Sequence, residues 1–63
     1  MNKYKGTLNW FGEIFILYTH AHSAGGAFLN LCRQLSEKVG YSPRRVRNRF
    51  MNSTHYEIKE ISR

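Results

Sequence analysis

Arg44, Arg45, Arg47 and Arg49 stand within six consecutive positions, and no Asp or Glu occurs between Glu37 and Glu57 to neutralise them. Guanidinium groups at this density suit one kind of chemistry above others, the neutralisation of phosphates by planar, permanently charged donors. Asn48 lies inside the cluster and can donate to a phosphate or a base edge. Lys3, Lys5 and Lys38 are candidate secondary contacts. Two blander outcomes stand beside this reading: a solvated charged face, the ordinary fate of a charge run, and an acidic protein partner.

Acid–base chemistry finds little to work with. The four carboxylates, Glu13, Glu37, Glu57 and Glu60, suggest no acid/base pair, and no enzyme is expected. His20, His22, His55 and Cys32 carry metal-ligating atoms, and His-x-His on an extended segment points both rings one way, which zinc tolerates. Cys32, however, falls on or beside an apolar helical stripe and reads as a small core residue. Neither a metal nor another cofactor is expected. Paired surface histidines near a helix N-terminus are the simpler account of His20 and His22.

The arginines need a scaffold, and the flanking residues supply one. Ser42 is suited to cap a helix, because its hydroxyl can accept an orphan N–H of the first turn. Pro43 would then take the first helical position, where its fixed φ does no harm. On a 3.6-residue wheel Val46 and Phe50 stack on one face at i, i+4. Arg44, Arg47 and Asn48 fall opposite, with Arg45 and Arg49 on a flank, giving an outward fan on a short helix from Pro43 to Met51.

A longer helix precedes it, from Ala24 to Val39, capped by Ser23. Ala24, Ala27, Phe28, Leu31, Leu35 and Val39 make its apolar stripe, with Asn30, Arg33, Gln34, Glu37 and Lys38 on the outer side. Gly25-Gly26 costs the first turn roughly 1 kcal/mol per glycine relative to alanine. Either the helix begins at Ala27, or small residues admit a close neighbour. Gly40 closes it as a left-handed C′ residue, and Tyr41 can fold back on the last turn.

Upstream, residues 3 to 9 alternate, with Tyr4, Gly6, Leu8 and then Trp10 on one face and Lys5, Thr7 and Asn9 on the other. Period two predicts a strand. Phe11-Gly12 offers a turn, with a bulge or short loop near Gly12. Glu13 to Thr19, rich in β-branched and aromatic residues, predicts a second strand. A helix is the alternative here, since Leu8, Phe11 and Phe15 are also spaced at three and four; Gly12 and the β-branched bias decide for strands. Beyond a loop at Asn52-Ser53-Thr54, His55 to Ile61 predicts a third strand, whose charges suit an edge.

The predicted fold is α+β: a small β-β-α-α-β domain over residues 1–63, a three-stranded sheet with one long and one short helix on one face. If strand three runs parallel to strand two, the right-handed crossover rule sets it beside strand one, in the order 2-1-3. Ile14, Ile16 and Tyr18 then share the face that the helices leave uncovered. An uncovered apolar patch on so small a domain marks an interface, with a protein partner or with a second copy. Trp10 and Phe11, at the hairpin tip with Lys3 and Lys5 near them, are either a stacking platform for unpaired bases or lids on the core.

From Leu31 to Phe50 the chain also resembles a helix-turn-helix unit. Leu35-Ser36-Glu37-Lys38-Val39-Gly40-Tyr41-Ser42 carries the resemblance, with a small residue four before the glycine and Val46 six after it. The resemblance implies that Pro43, Arg44, Arg47 and Asn48 reach base edges in the DNA major groove. The usual preceding helix is missing if residues 3–19 are strands.

Composition sets the outer bounds. The chain has 63 residues, a net charge of +6 and a single cysteine, so no intrachain disulfide can brace it. Such a charge on so small a body favours a polyanion and fast, steered association. The apolar run from Ile14 to Tyr18 is too short to span a bilayer, and Met1 to Lys5 leads into no signal-peptide pattern. A cytoplasmic protein that touches no membrane is expected. The sequence therefore predicts a non-catalytic nucleic-acid-binding protein that holds phosphates through its arginine-rich helix, with RNA favoured over DNA. The alternatives are a protein-interaction module, such as a small inhibitor or assembly subunit docking through the apolar sheet face, and a helix-turn-helix-like DNA-binding regulator.

Overall fold

Alternating polar and apolar residues on one segment, and a β-branched aromatic run on the next, are best satisfied by two pleated strands sharing a hairpin. The computed structural model, which describes residues 1–51 and 55–62, has this hairpin. Its elements are β1 (Asn2–Trp10), β2 (Glu13–Ala21), α1 (Ala24–Val39), α2 (Pro43–Met51) and β3 (Tyr56–Ser62). The sheet order is β2-β1-β3, and β1 runs antiparallel to both neighbours, so β3 is parallel to β2, the condition under which the order 2-1-3 is expected. The fold is thus the α+β arrangement read from the sequence, and the helical alternative for residues 3–19 is set aside. The loop expected at Asn52-Ser53-Thr54 lies outside the described residues.

The hairpin closes through a two-residue loop, since Trp10 pairs with Glu13. Phe11 and Gly12 both have positive φ, 51° and 94°. This mirror-image turn matches the right-handed strand twist. Of the bulge or short loop expected near Gly12, the short loop forms; the sheet's register shift falls between β1 and β3, at Lys3/Tyr4.

Helix α1 begins at Ala24, where the Ser23 hydroxyl accepts from the Gly26 N–H at 3.3 Å. It ends at Gly40, left-handed at φ 81°, whose N–H donates to the Ser36 carbonyl at 2.9 Å. Neither sequence expectation for Gly25-Gly26 holds. The helix starts before the pair, and a Cβ on either glycine would meet nothing closer than 3.6 Å. Ala24, assigned to the apolar stripe, is exposed. Ser36 is buried instead, its hydroxyl donating to the Arg33 carbonyl at 2.7 Å. Asn30 and Gln34, expected on the outer side, turn towards β2 and donate to the His20 and Tyr18 carbonyls.

The core is a single layer between sheet and helices. Leu8, Leu17, Leu31, Cys32, Leu35, Val46 and Phe50 form it, flanked by Trp10, Phe15, Phe28, Val39, Tyr56 and Ile58. Tyr4, Ala21 and Ala27 make a smaller cluster at the other end. Leu31 seats over Gly6: a Cβ there would come within 2.5 Å of Leu31 Cδ1. A strand glycine here is the means by which α1 reaches the sheet.

Adding a methyl at the two glycine sites should therefore act in opposite directions. Gly6→Ala should destabilise by about 1–3 kcal/mol through overpacking. Gly25→Ala, whose Cβ would make only an ordinary contact with Ser23 Oγ at 3.9 Å, should stabilise by about 0.5–1 kcal/mol through helix propensity. Thermal unfolding followed by circular dichroism reads both; equal shifts would show that Leu31 does not set the α1–sheet distance.

Candidate nucleic-acid interface

What places the arginines is the apolar edge of α2. Ser42 caps the helix, its hydroxyl accepting from Arg45 N–H at 3.3 Å and its carbonyl from Val46 N–H at 3.1 Å. Val46 and Phe50 are fully buried. The Phe50 ring lies 5.8 Å from Tyr56, edge-on, and 6.1 Å from Trp10. Burial of this i, i+4 pair fixes both the position and the rotation of a nine-residue helix.

The arginines do not form one even fan. They divide between two sides of α2, because α1 runs along one flank and the hairpin tip along the other. On the first side Arg44 and Arg47, with Arg33 from α1, line a cavity of about 280 Å³ together with Leu29, Cys32 and Pro43. On the second, Arg45, Asn48 and Arg49 line a cavity of about 330 Å³ with Trp10, Phe11 and Tyr41. The wheel grouped Asn48 with Arg44 and Arg47; the neighbours place it with the other pair. Arg47 and Arg49 are half-buried rather than fully outward. Their Nε atoms are shut off from water with no hydrogen-bond partner, which costs about 1–3 kcal/mol apiece. Among the described residues none of the four has a carboxylate partner.

Aromatic rings hold the second pair. The Arg49 guanidinium lies 4.0 Å from the centre of the Phe11 ring, and that of Arg45 5.5 Å from Tyr41. Trp10 meets Phe11 edge-on at 4.9 Å and Tyr41 at 5.7 Å. Trp10 thus serves as a core lid through Phe50, while Phe11 stands 69 % exposed. Arg33 and Tyr41 were missed as site residues. Nothing in the local pattern marks them; the packing of α1 and the hairpin tip against α2 brings them in.

The expected secondary lysines lie elsewhere. Lys3 and Lys5 sit on the open face of the sheet with Lys59, and the Lys3 ammonium lies 5.4 Å from the Tyr18 ring. They are not beside Trp10 and Phe11, as the hairpin-tip reading had it, because β1 carries them to its opposite end. Lys38 occupies the last turn of α1, where it complements the helix dipole. Ile14, Ile16 and Tyr18 share the uncovered face, each about half exposed. His20, His22 and His55 are exposed and Cys32 is buried. Among the described residues no three His, Cys, Asp or Glu side chains gather around a metal-sized space. No described helix is long and apolar enough to cross a membrane.

No family model, curated protein or solved structure matches the chain. Its class is therefore set by its own architecture: a small basic α+β domain with an arginine helix seated on the helical layer.

Cys32 lies at the floor of the first cavity. Burial pushes its thiol from 9.0 up to about 11, and nearby Arg47 draws it partly back. The native thiol is therefore protonated at neutral pH and a poor nucleophile. As pH rises past about 9 the unfolded chain ionises first, so this group's stabilising contribution is intact below 9 and falls away towards 11. Thiol-reagent labelling at pH 8 should be slow in the native protein and fast in denaturant. Melting temperatures between pH 9 and 11 should fall less steeply in Cys32→Ala; identical slopes would place the thiol in solvent.

Proposed function

We propose that this chain binds nucleic acid without catalysing a reaction, with α2 lying along a phosphate backbone. One observation carries the reading: Arg44, Arg45, Arg47 and Arg49, joined by Arg33, line two cavities beside α2, Arg45 and Arg49 against aromatic rings, with no carboxylate partner among the described residues. Guanidinium groups anchored in this way lose less side-chain entropy on meeting a phosphate than free ones. The helix-turn-helix reading loses support, because strands occupy residues 2–21 where a bracing helix would stand. Arg47 also turns towards α1 instead of ranking with Asn48. Folded RNA, recognised by shape and backbone, suits such a site better than operator DNA.

If about four phosphates are contacted, log K should fall with log salt at a slope of about −4. Arg44→Ala with Arg47→Ala should reduce that slope by about two and leave the fold intact. Competition between matched RNA and DNA duplexes at one salt concentration should favour RNA. An unchanged slope in the double variant would remove α2 from the interface, and a strong preference for a single DNA sequence would restore the groove-reading alternative.

A second reading, a protein-interaction module, is favoured by the edge of β2. Gln34 and Asn30 occupy the outward carbonyls of Tyr18 and His20, at 2.8 and 3.3 Å. By period two, the backbone groups of Ile14 and Ile16 face the same open side. No proline or lysine guards that stretch, and its side chains are apolar and exposed. The occupant we infer is a second copy, paired antiparallel so that Ile14 of one chain faces Ile16 of the other. Sedimentation at rising concentration should then show a dimer that persists in high salt and is lost in Ile16→Lys. A monomer throughout would confine function to the arginine side.

A further inference from the structure

The aromatic half of the site has a feature that phosphate binding alone does not account for. Phe11 occupies the first position of a mirror-image turn at φ 51°, where Asn, Asp or Gly is favoured and a bulky side chain is an outlier. The strain is not offset by burial, since the ring stays largely in solvent. Strained, exposed, well-positioned residues of this kind concentrate at ligand sites. The ring is also held: Arg49 lies over it, and Trp10 braces its edge. Across the cavity stands Tyr41, half exposed, with Arg45 on its ring and the Asn48 side chain beside them.

We propose that this cavity takes an unpaired nucleobase, stacked among Phe11, Tyr41 and the guanidinium planes, with its flanking phosphates on Arg45 and Arg49. Each wall component matches one part of that ligand. Aromatic rings and guanidinium planes stack on a base. The Asn48 amide offers both a donor and an acceptor to its edge. A bare phosphate would gain nothing from three aromatic residues, and an aliphatic partner would gain nothing from two arginines. The proposal rests on the reading of α2 as a phosphate-binding helix, and it names what lies between the phosphates. A looped or single-stranded segment is then the preferred target, with Arg33, Arg44 and Arg47 following the chain on the other side of α2.

Trp10 is the sole tryptophan and lines the cavity, so its fluorescence reports occupancy. Three probes separate the contributions: an oligouridylate of about ten nucleotides, the same strand annealed to its complement, and an abasic phosphodiester chain of equal charge. Oligouridylate should bind tightest and quench Trp10 most. Phe11→Asn, which the turn accommodates, should weaken oligouridylate about tenfold and weaken the duplex far less; Tyr41→Ala should act alike, with circular dichroism confirming both folds. Arg44→Ala with Arg47→Ala should weaken all three probes together. Equal affinity for the abasic chain and oligouridylate, or no loss in folded Phe11→Asn, would overturn base stacking and leave the phosphate reading standing. Absence of binding to any probe at low salt would overturn both, and equal quenching by polyglutamate would assign the cavity to an acidic protein segment.

Discussion

Everything that the arginines can do depends on two side chains that never meet solvent. Val46 and Phe50 are the buried residues of α2, and both belong to the core cluster. Between them they bury enough apolar surface to contribute a few kcal/mol, against a total stability of only about 3–9 kcal/mol for a chain of this length. A helix with four arginines in nine residues has little reason to form by itself. Docking makes it a helix, and the same docking determines which guanidinium group faces which neighbour.

The small size of the domain accounts for its asymmetry. Two helices suffice to cover one face of a three-stranded sheet, and the core is accordingly one layer deep. The opposite face keeps Ile14, Ile16 and Tyr18 in contact with water, together with Lys3, Lys5 and Lys59. The two surfaces thus differ in kind: one is arginine and aromatic, the other aliphatic and lysine-bearing. Salt weakens ionic contacts on the first and leaves apolar contacts on the second largely untouched.

Aromatic residues do two jobs in this chain. Phe50, Phe28 and Tyr56 are structural, with ring centres 5.1 to 5.8 Å apart around the lower core. Phe11 and Tyr41 are spread over the surface and hold arginines in place. Trp10 links the groups, touching Phe50 below and both surface rings above. A ligand that displaces Arg49 from Phe11 would therefore be felt by the core through one side chain.

The sequence by itself determined the local structure, because each signal involved is local. Period-two alternation, Gly12 at the turn, Ser23 and Ser42 as caps, and Gly40 as the left-handed closing residue all act within a few residues and are legible in the sequence. The strand order followed on the one condition that β3 be parallel to β2, since crossover handedness then leaves few alternatives. What tertiary structure alone decided is which side chains keep company. The wheel around α2 has no knowledge of α1 or the hairpin tip, so it could not split the arginines into two groups. Nor could it recruit Arg33 and Tyr41, or turn Asn30 and Gln34 onto the β2 carbonyls. Those placements arise from contacts between residues far apart in the chain, and periodicity, which records only neighbours in sequence, carries no trace of them.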